Sequence, residues 1–241
     1  TDNIILIIND SISDTIKIIN DELNLHLKNL YDTKLENNLG YARGNNFGFN
    51  SISNKSKYTI FLNNDTYVDP YFIEPLIDEL ESNSLSIQSV PKIFYAKEND
   101  RVWYAGGSIS FILSQIRHIG IRSKNSEKYN KRLEVDYATG CCFCIRSDDF
   151  VKFGMFDENY EMYCEDVDLS LKIRKNGGQI VYIPNSKVWH HVSMSLGGVS
   201  SFSKWRKKQL SFLKLILEHG NILFFPISIV FYVINALLSF L

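Results

Sequence analysis

Residues 58–70 constrain the fold of this chain more than any other segment. An apolar run, Tyr58–Leu62, ends abruptly in Asn63-Asn64-Asp65. Such a run is typical of a buried parallel strand, and in an open α/β sheet the residues that follow it lie at the ligand-binding carboxyl edge. The pattern therefore predicts an α/β fold in which Asp65 lies at a binding site.

A second acidic segment lies further along the chain. Residues 157–168 hold six carboxylates and no lysine or arginine, and a helical pattern begins near Glu165 and Asp166. A helix dipole favours one or two acids in a first turn, but not six. Neighbouring like charges raise one another's pKa, as a general base near neutral pH requires. We therefore predict that Glu165 and Asp166 are catalytic and that Asp166 is the base.

An acid at a strand end and another at a helix start suit a metal-bound leaving group with a separate base, as in sugar transfer from a nucleotide. Asp65 offers the hard oxygen ligand that Mg²⁺ or Mn²⁺ prefers, although an Asx turn before the next helix is the alternative. His190 ends a strand pattern and is a candidate metal or phosphate ligand, or else a packed histidine. The loop at 40–48 combines glycines, amides and Arg43, which suits a diphosphate.

Composition limits the remaining possibilities. The 241 residues, 45% of them apolar, fit one sizeable domain with a small appendage, and the net charge of −1 argues against bulk nucleic-acid binding. Cys141, Cys142, Cys144 and Cys164 lack the spacing of a zinc site, so we expect buried free thiols.

The carboxy-terminal segment differs from the rest. Residues 222–241 carry no charge and follow a basic cluster at 204–208. A span of about 20 apolar residues can cross a bilayer, and basic residues favour its cytoplasmic face. We predict a transferase domain over 1–203 and a membrane-associated tail over 204–241, peripheral or with a single anchor; a buried core helix is the alternative.

Strand and helix patterns alternate along most of the chain. Strands are predicted at 58–62, 86–94 with an interruption near Pro91, 136–146, 179–183 and 187–190, and helices at 70–81, 148–153 and 166–175. This alternation predicts a mainly parallel sheet flanked by helices. Residues 97–135 show no clear pattern.

Together these segments resemble family 2 glycosyltransferases of the GT-A fold, a nucleotide-diphospho-sugar transferase fold, and especially their rhamnosyltransferase-like branch. The matching stretches are IINDSISD (7–14), ENNLGYARGNNFGFN (36–50), FLNNDTYVDP (61–70), YATGCCFCIR (137–146) and the segment at 154–198. They follow the family's order over most of residues 4–198. Family members begin with a strand and a helix before the first match, so we expect either a fragment or an impaired copy.

The resemblance implies a role for each matching position. Asp65 stands at the last acid of the metal-binding DxD motif, with Asn63 in place of the first acid, and His190 can approach the metal. Asp166 matches the catalytic base. The donor-binding residues are then Asn9, Asp10, Gly40, Arg43, Asn46, Asn63 and Asn64, and the acceptor-binding residues are Thr139, Gly140 and Asp168.

The sequence therefore predicts an inverting, metal-dependent glycosyltransferase. Its partners are expected to be a nucleotide-diphosphate sugar, a glycan or lipid-linked glycan acceptor and the cytoplasmic membrane face. A metal-dependent phosphatase is a weaker alternative, because that chemistry needs an aspartate where Asn63 stands. A non-catalytic glycan- or nucleotide-binding module is the alternative outside the enzymes.

Overall fold

The computed structural model describes residues 4–8, 30–34, 39–52, 55–160, 163–192 and 202–239. Its strands are β1 Ile4–Ile8, β2 Leu30–Lys34, β3 Tyr58–Leu62, β4 Thr66–Val68, β5 Ser86–Tyr95, β6 Val102–Tyr104, β7 Gly107–Ser110, β8 Gln115–His118, β9 Leu133–Val135, β10 Cys142–Arg146 and β11 Gln179–His190. Its α-helices are α1 Gly40–Ser51, α2 Ile73–Ser82, α3 Ser147–Lys152, α4 Glu165–Lys175, α5 Phe202–His219 and α6 Phe225–Leu238. Short 3₁₀ turns cover Glu127–Tyr129 and Ile222–Phe224.

The main sheet has the strand order β3-β10-β5-β11-β4, with β6 beside β5 and β9 beside β11. Strands β5 and β11 are parallel, whereas β10 runs antiparallel to both β3 and β5. A separate parallel pair, β1 and β2, and the antiparallel hairpin β7–β8 complete the described strands. The prediction of a mainly parallel sheet is therefore wrong for the described residues. An apolar run indicates that both faces of a strand are buried. It does not indicate whether the strand runs parallel or antiparallel to its neighbours.

Two predicted strand boundaries also need correction. The strand expected over 136–146 begins only at Cys142, because the backbone before it bonds to side chains: the Tyr104 hydroxyl donates to the Tyr137 carbonyl, and Ala138 N donates to Ser170 Oγ. Strand β5 continues through Pro91, opposite an irregularity that lies between Ile183 and Lys187 of β11. A proline is tolerated at such a bulge, where the ladder is already interrupted.

The core lies between the main sheet and the helices that cover it. Helix α2 packs on β5 through Leu76 and Leu80, which are fully buried. On another part of the sheet, four phenylalanine rings contact one another at centroid distances of about 5–6 Å, namely Phe61, Phe143, Phe150 and Phe156. Each such burial contributes about 1.5–3 kcal/mol relative to an exposed side chain, so the packing holds β3 and β10 rigidly together. The four cysteines are buried and free, as predicted.

The carboxy-terminal helices pack on this core and on each other. Leu215 of α5 is fully buried and belongs to the main core. Trp205, near the start of α5, donates to Ser239 just after α6, so the two helices run antiparallel. Among the described residues, no helix is long and apolar enough to cross a membrane. The domain boundary at residue 203 stays a prediction.

Candidate active site

The turn after β3 lies against the loop before β10. Because these strands are antiparallel, the end of one meets the start of the other, with Leu62 paired to Cys142. The pairing continues one step further, where Asn63 N donates to the Cys141 carbonyl at 2.9 Å. Thus the predicted metal-binding turn and the predicted acceptor loop are neighbours at one edge of the sheet.

Asp65 and His190 are brought into direct contact by strands β4 and β11. Thr66 pairs with His190 in this antiparallel ladder, and His191 N donates to the Asp65 carbonyl at 2.8 Å. The side chains meet with Asp65 Oδ1 and His190 Nε2 3.0 Å apart. Burial lowers the pKa of His190, although the Asp65 carboxylate acts in the opposite direction. The ring is therefore neutral, which is the form that ligates metals.

Helix α4 begins at the acidic pair after a sharp change of chain direction. Tyr163 and Cys164 both have left-handed backbone, with φ of 70°. This conformation costs about 1–3 kcal/mol at each non-glycine residue and is found preferentially at functional sites. It places Asp166 in the first turn of α4, where Asp166 Oδ1 accepts from Val167 N at 2.8 Å and Oδ2 accepts from Gly140 N at 2.7 Å.

Glu165 and Asp166 have different surroundings although they are adjacent. Glu165 is only 7% exposed, and its Oε2 has no hydrogen-bond partner among the described residues. Burial, and then the Asp166 charge, raise the pKa of Glu165 to about 8. Burial also raises the pKa of Asp166, but its two backbone N–H donors favour the ionised form. The two N–H donors therefore counteract the effect of burial on Asp166, whereas Glu165 Oε2 has no partner among the described residues.

Glu165→Gln should flatten the pH dependence of the free energy of unfolding between about pH 4.5 and 8. Burial raises the folded-state pKa of Glu165 from 4.5 to about 8, so the protonated acid stabilises the fold below pH 4.5 and this contribution is lost as the pH rises to 8. The parent should lose up to about 1.4 kcal/mol per pH unit relative to the variant. Urea unfolding at a series of pH values measures this difference.

The exposed residue Glu74 of α2 supplies the control, and Glu74→Gln measures what the loss of a surface carboxylate does to the same urea series. The groups whose charges act together with that of Glu165 include Asp166, Tyr41, Tyr163 and Cys164. Identical pH profiles for the parent and Glu165→Gln would contradict the raised pKa.

Gly140 links the acidic pair to helix α1. Its carbonyl accepts from the Tyr41 hydroxyl at 2.5 Å, while its N–H donates to Asp166. A Cβ at this position would lie 3.0 Å from Tyr41 Oη and 3.4 Å from Asp166 Oδ2, so a larger residue would be crowded. Tyr41 was not predicted from the sequence, because a tyrosine at a helix start is indistinguishable there from a core residue.

Cys141 lies between the two acidic positions. Burial, then Cys142, and then the charges of Asp65 and Asp166 raise the pKa of its thiol well above the ordinary value. The backbone shows the same proximity, since Gly140 N donates to Asp166 Oδ2 and the Cys141 carbonyl accepts from Asn63 N in the turn that holds Asp65. Thr139, also of the acceptor loop, is buried, and its hydroxyl accepts from Cys141 N at 3.4 Å.

Trp103 was also missed from the sequence, because it lies in the segment without a clear pattern. Its ring meets that of His190 edge to face at 4.7 Å and that of His118 at 4.4 Å. Burial lowers the pKa of His118 to about 4, so this ring is neutral as well. The half-buried Trp103 therefore forms one aromatic wall beside the Asp65–His190 pair.

The predicted donor-binding residues are only partly described. Asn9 and Asp10 lie outside the described residues, and Asn64 is exposed in the turn beside Asp65. Gly40 begins α1 with a positive φ of 77°, and Arg43 lies on the same helix.

The polar groups of Arg43 and Asn46 face the acidic segment. Arg43 Nε is 3.8 Å from Glu158 Oε2, and Asn46 Nδ2 donates to the Phe156 carbonyl at 2.8 Å. Asn46 Oδ1 also accepts from Phe156 N at 3.2 Å, so this buried amide supports the loop before α4. The role of either residue in donor binding stays a prediction.

Asp168 points away from Gly140. It is fully buried, with Oδ1 2.7 Å from His219 Nε2 of α5 and Oδ2 2.7 Å from Lys172 Nζ. Residues two positions apart lie on different helix faces, so Asp168 cannot share the orientation of Asp166. These contacts do not favour the predicted contact of Asp168 with an acceptor. They connect α4 to α5 instead.

Asp168, Glu218 and His219 offer ligand atoms within 4.8 Å of one another, which is close enough for a cation. Lysine ammonium groups already balance the charge there, since Lys172 contacts Asp168 and Lys214 Nζ lies 3.7 Å from Glu218 Oε1. A cavity of about 490 Å³ at the carboxyl end of α4 is also bordered by His219, but by none of the predicted site residues.

The sequence matches a known protein family over more than half of its length. The model of the family described as glycosyl transferase family 2 matches residues 1–154. N-acetylglucosaminyl-diphospho-decaprenol L-rhamnosyltransferase of Mycobacterium tuberculosis is 43% identical over 63 residues, which is 26% of this chain and 20% of that protein. Rhamnosyltransferase WbbL of Escherichia coli is 33% identical over 81 residues, 34% of this chain and 31% of that protein. The matches thus span about a fifth to a third of these relatives.

Solved structures resemble the fold over a larger share of the chain. GalNAc-T7 with UDP, GalNAc and Mn²⁺ has a TM-score of 0.69 at 17% identity, covering 89% of this chain and 41% of that one. S. aureus TarS 1–349 in complex with UDP has a TM-score of 0.53 at 13% identity, covering 89% and 56%. At such identities the similarity concerns the fold alone, and it confirms a mixed α/β architecture of the GT-A type.

Proposed function

The chain belongs to glycosyl transferase family 2, and on that premise we propose that it is an inverting, metal-dependent glycosyltransferase. It moves a sugar from a nucleotide-diphosphate donor to a glycan or lipid-linked glycan acceptor. One observation carries the proposal: the Gly140-Cys141 segment bonds both to Asp166, through Gly140 N, and to the turn that holds Asp65, through the Cys141 carbonyl. Two acids joined through one short segment suit a leaving group at one of them and an attacking hydroxyl at the other.

Asp65 and His190 are the residues that fit Mg²⁺ or Mn²⁺. Their facing atoms are 3.0 Å apart, and adjacent ligands of an octahedral ion, each about 2.1 Å from the metal, are separated by about 3 Å. The carboxylate is a ligand that both ions accept, whereas the neutral imidazole is a softer donor that Mg²⁺ seldom takes, so the pair fits Mn²⁺ better than Mg²⁺. A divalent ion bound here supplies positive charge to the departing diphosphate.

Asp166 acts as the general base in this proposal. Each of its oxygens accepts one backbone N–H, which fixes the carboxylate and leaves a lone pair for the proton of an acceptor hydroxyl. Glu165 is protonated at neutral pH and does not compete for that proton.

The reaction needs a single displacement. The hydroxyl oxygen bonds to the anomeric carbon from the face opposite the diphosphate as its proton passes to Asp166. The bond between the anomeric carbon and the diphosphate oxygen breaks, and the electron pair leaves with the nucleotide. This sequence inverts the configuration and requires no covalent enzyme intermediate.

The names of the curated relatives suggest the substrates. Both relatives are rhamnosyltransferases, and one name includes a sugar on a diphospho-decaprenol lipid. We extend this to the present chain as transfer of L-rhamnose to a lipid-diphosphate-linked sugar.

A donor panel tests the proposed function. With Mn²⁺ and a lipid-diphosphate-linked N-acetylglucosamine, nucleotide-activated L-rhamnose should release nucleoside diphosphate and give a glycosylated lipid, which mass spectrometry detects. Release of inorganic phosphate instead would favour the phosphatase alternative. Tight nucleotide binding without turnover of any donor would favour a non-catalytic module and overturn the transferase assignment.

A further inference from the structure

Helix α6 exposes an apolar face to the surroundings. Ile227, Val230, Ile234 and Leu237 are 48%, 58%, 44% and 62% exposed. Their spacing of three, four and three residues places them on one side of the helix, which we call the α6 face. The outward face of a helix on a globular protein is normally polar, so this arrangement needs an explanation.

The opposite side of α6 is held firmly by the protein. The Ser228 carbonyl accepts from Ser114 Oγ at 2.6 Å, and Asn235 Nδ2 donates to the Leu113 carbonyl at 2.8 Å, both in the turn between β7 and β8. The Tyr232 hydroxyl donates to the Gln209 carbonyl of α5 at 3.1 Å. The polar side chains of α6 thus face inward, and the orientation that exposes the α6 face is specified by hydrogen bonds.

Exposed basic residues lie on the first turns of α5, which adjoin the end of α6. Trp205 Nε1 donates to Ser239 Oγ at 3.1 Å, which brings the first turns of α5 beside the end of α6. Arg206 and Lys208 on these turns are exposed. Exposed cations next to an apolar helix face and a tryptophan are the combination that anionic lipid surfaces attract.

Neighbouring segments extend the apolar surface. Ile112 and Leu113, in the turn to which Asn235 bonds, are 41% and 42% exposed. At the other end of α6, Ile222 and Leu223 are 85% and 80% exposed. Exposed apolar residues therefore lie on α6 and on two segments that adjoin it, and clusters of this kind mark interaction surfaces more often than single exposed residues do.

We propose that the α6 face docks this chain on an anionic lipid bilayer. Helix α6 lies along the surface with Arg206 and Lys208 at the headgroups, and its apolar residues enter the boundary of the acyl chains. Because this interaction is separate from sugar transfer, it can be measured whether or not the proposed reaction is correct.

Flotation of the full chain with vesicles tests the docking. Vesicles of phosphatidylcholine with phosphatidylglycerol should bind the chain, and binding should weaken in higher salt because exposed charges are screened beyond about 8–10 Å at physiological ionic strength. Val230→Glu and Leu237→Glu should each lower the partition coefficient about tenfold or more, since each removes a buried apolar contact. Arg206→Glu with Lys208→Glu should weaken binding to anionic vesicles and leave binding to phosphatidylcholine alone unchanged.

Leu85→Glu is the matched control, because Leu85 is 55% exposed and lies outside the α6 face, before β5. It should bind vesicles as the parent does, and all variants should keep the parent's thermal unfolding midpoint. Undiminished binding by folded Val230→Glu and Leu237→Glu would overturn the proposal. The proposal would equally be overturned if the parent did not bind vesicles. A dimer of the parent that Val230→Glu dissociates would then show that the α6 face binds a second copy.

Discussion

Asp166→Asn should lower the turnover number by about 10²–10⁴, the usual cost of losing a general base, while donor affinity is retained. Asparagine keeps the size of the side chain, and its Oδ1 can still accept from the Gly140 or Val167 N–H that holds Asp166. It cannot take the proton of an acceptor hydroxyl. Initial rates at saturating donor and acceptor, with calorimetry of donor binding, measure both quantities.

Two variants make this result specific. Asp148→Asn also replaces a carboxylate by an amide, at an exposed position of α3, and should leave the rate unchanged. Glu165→Gln should retain most of the turnover, because the parent's Glu165 is already protonated at neutral pH. If Glu165→Gln lost activity and Asp166→Asn kept it, the roles of the two acids would have to be exchanged.

Asp65→Ala should abolish the part of nucleotide binding that depends on Mn²⁺. Asp65 provides the carboxylate that contacts His190, and without it the ion loses the charged ligand that compensates its desolvation. Asn63→Ala should reduce binding less, since an amide contributes no net charge. Calorimetric titrations with a series of nucleoside diphosphates, with and without Mn²⁺, separate the metal-dependent affinity from the rest.

The control for Asp65→Ala is Asp78→Ala, an exposed carboxyl on α2. Nucleotide affinity in the absence of Mn²⁺ should be the same for the parent and both variants, which distinguishes loss of the metal ligand from loss of the fold. Metal-dependent affinity that survives Asp65→Ala would exclude Asp65 as the metal ligand.

Local sequence patterns predicted the longer strands of the main sheet and the helices at 73–82, 147–152 and 165–175, but neither the short strands nor the path of the sheet. The helix at Glu165–Lys175 and the strand at Tyr58–Leu62 were expected at nearly their observed bounds, because a capping pattern or an apolar run is local information. The direction of β10 depends on the loops that precede it, which no periodicity reports. Residues 179–183 and 187–190 were expected to be separate strands, yet they form one strand with an irregularity that the pairing with β5 tolerates.

The candidate site was predictable where residue type limits the chemistry. Asp65 and His190 are far apart in sequence and were still expected to share a metal, and they are in contact. Asp168 was expected to bind the acceptor, whereas its side chain contacts His219 of α5. Tyr41 and Trp103 were not predicted, because aromatic side chains are common in any core and only their neighbours distinguish a site wall from packing.

The sequence by itself determined the family, the longer elements of the core and the acids that are candidates for the chemistry, because these follow from short-range patterns and from the limited set of groups that bind metals or take protons. Only the tertiary structure distinguished the two acids of the pair. That difference arises from the burial of Glu165 and from the Gly140 N–H that reaches Asp166 from another part of the chain. Ionisation depends on solvation and on nearby donors, and both are properties of the folded surroundings.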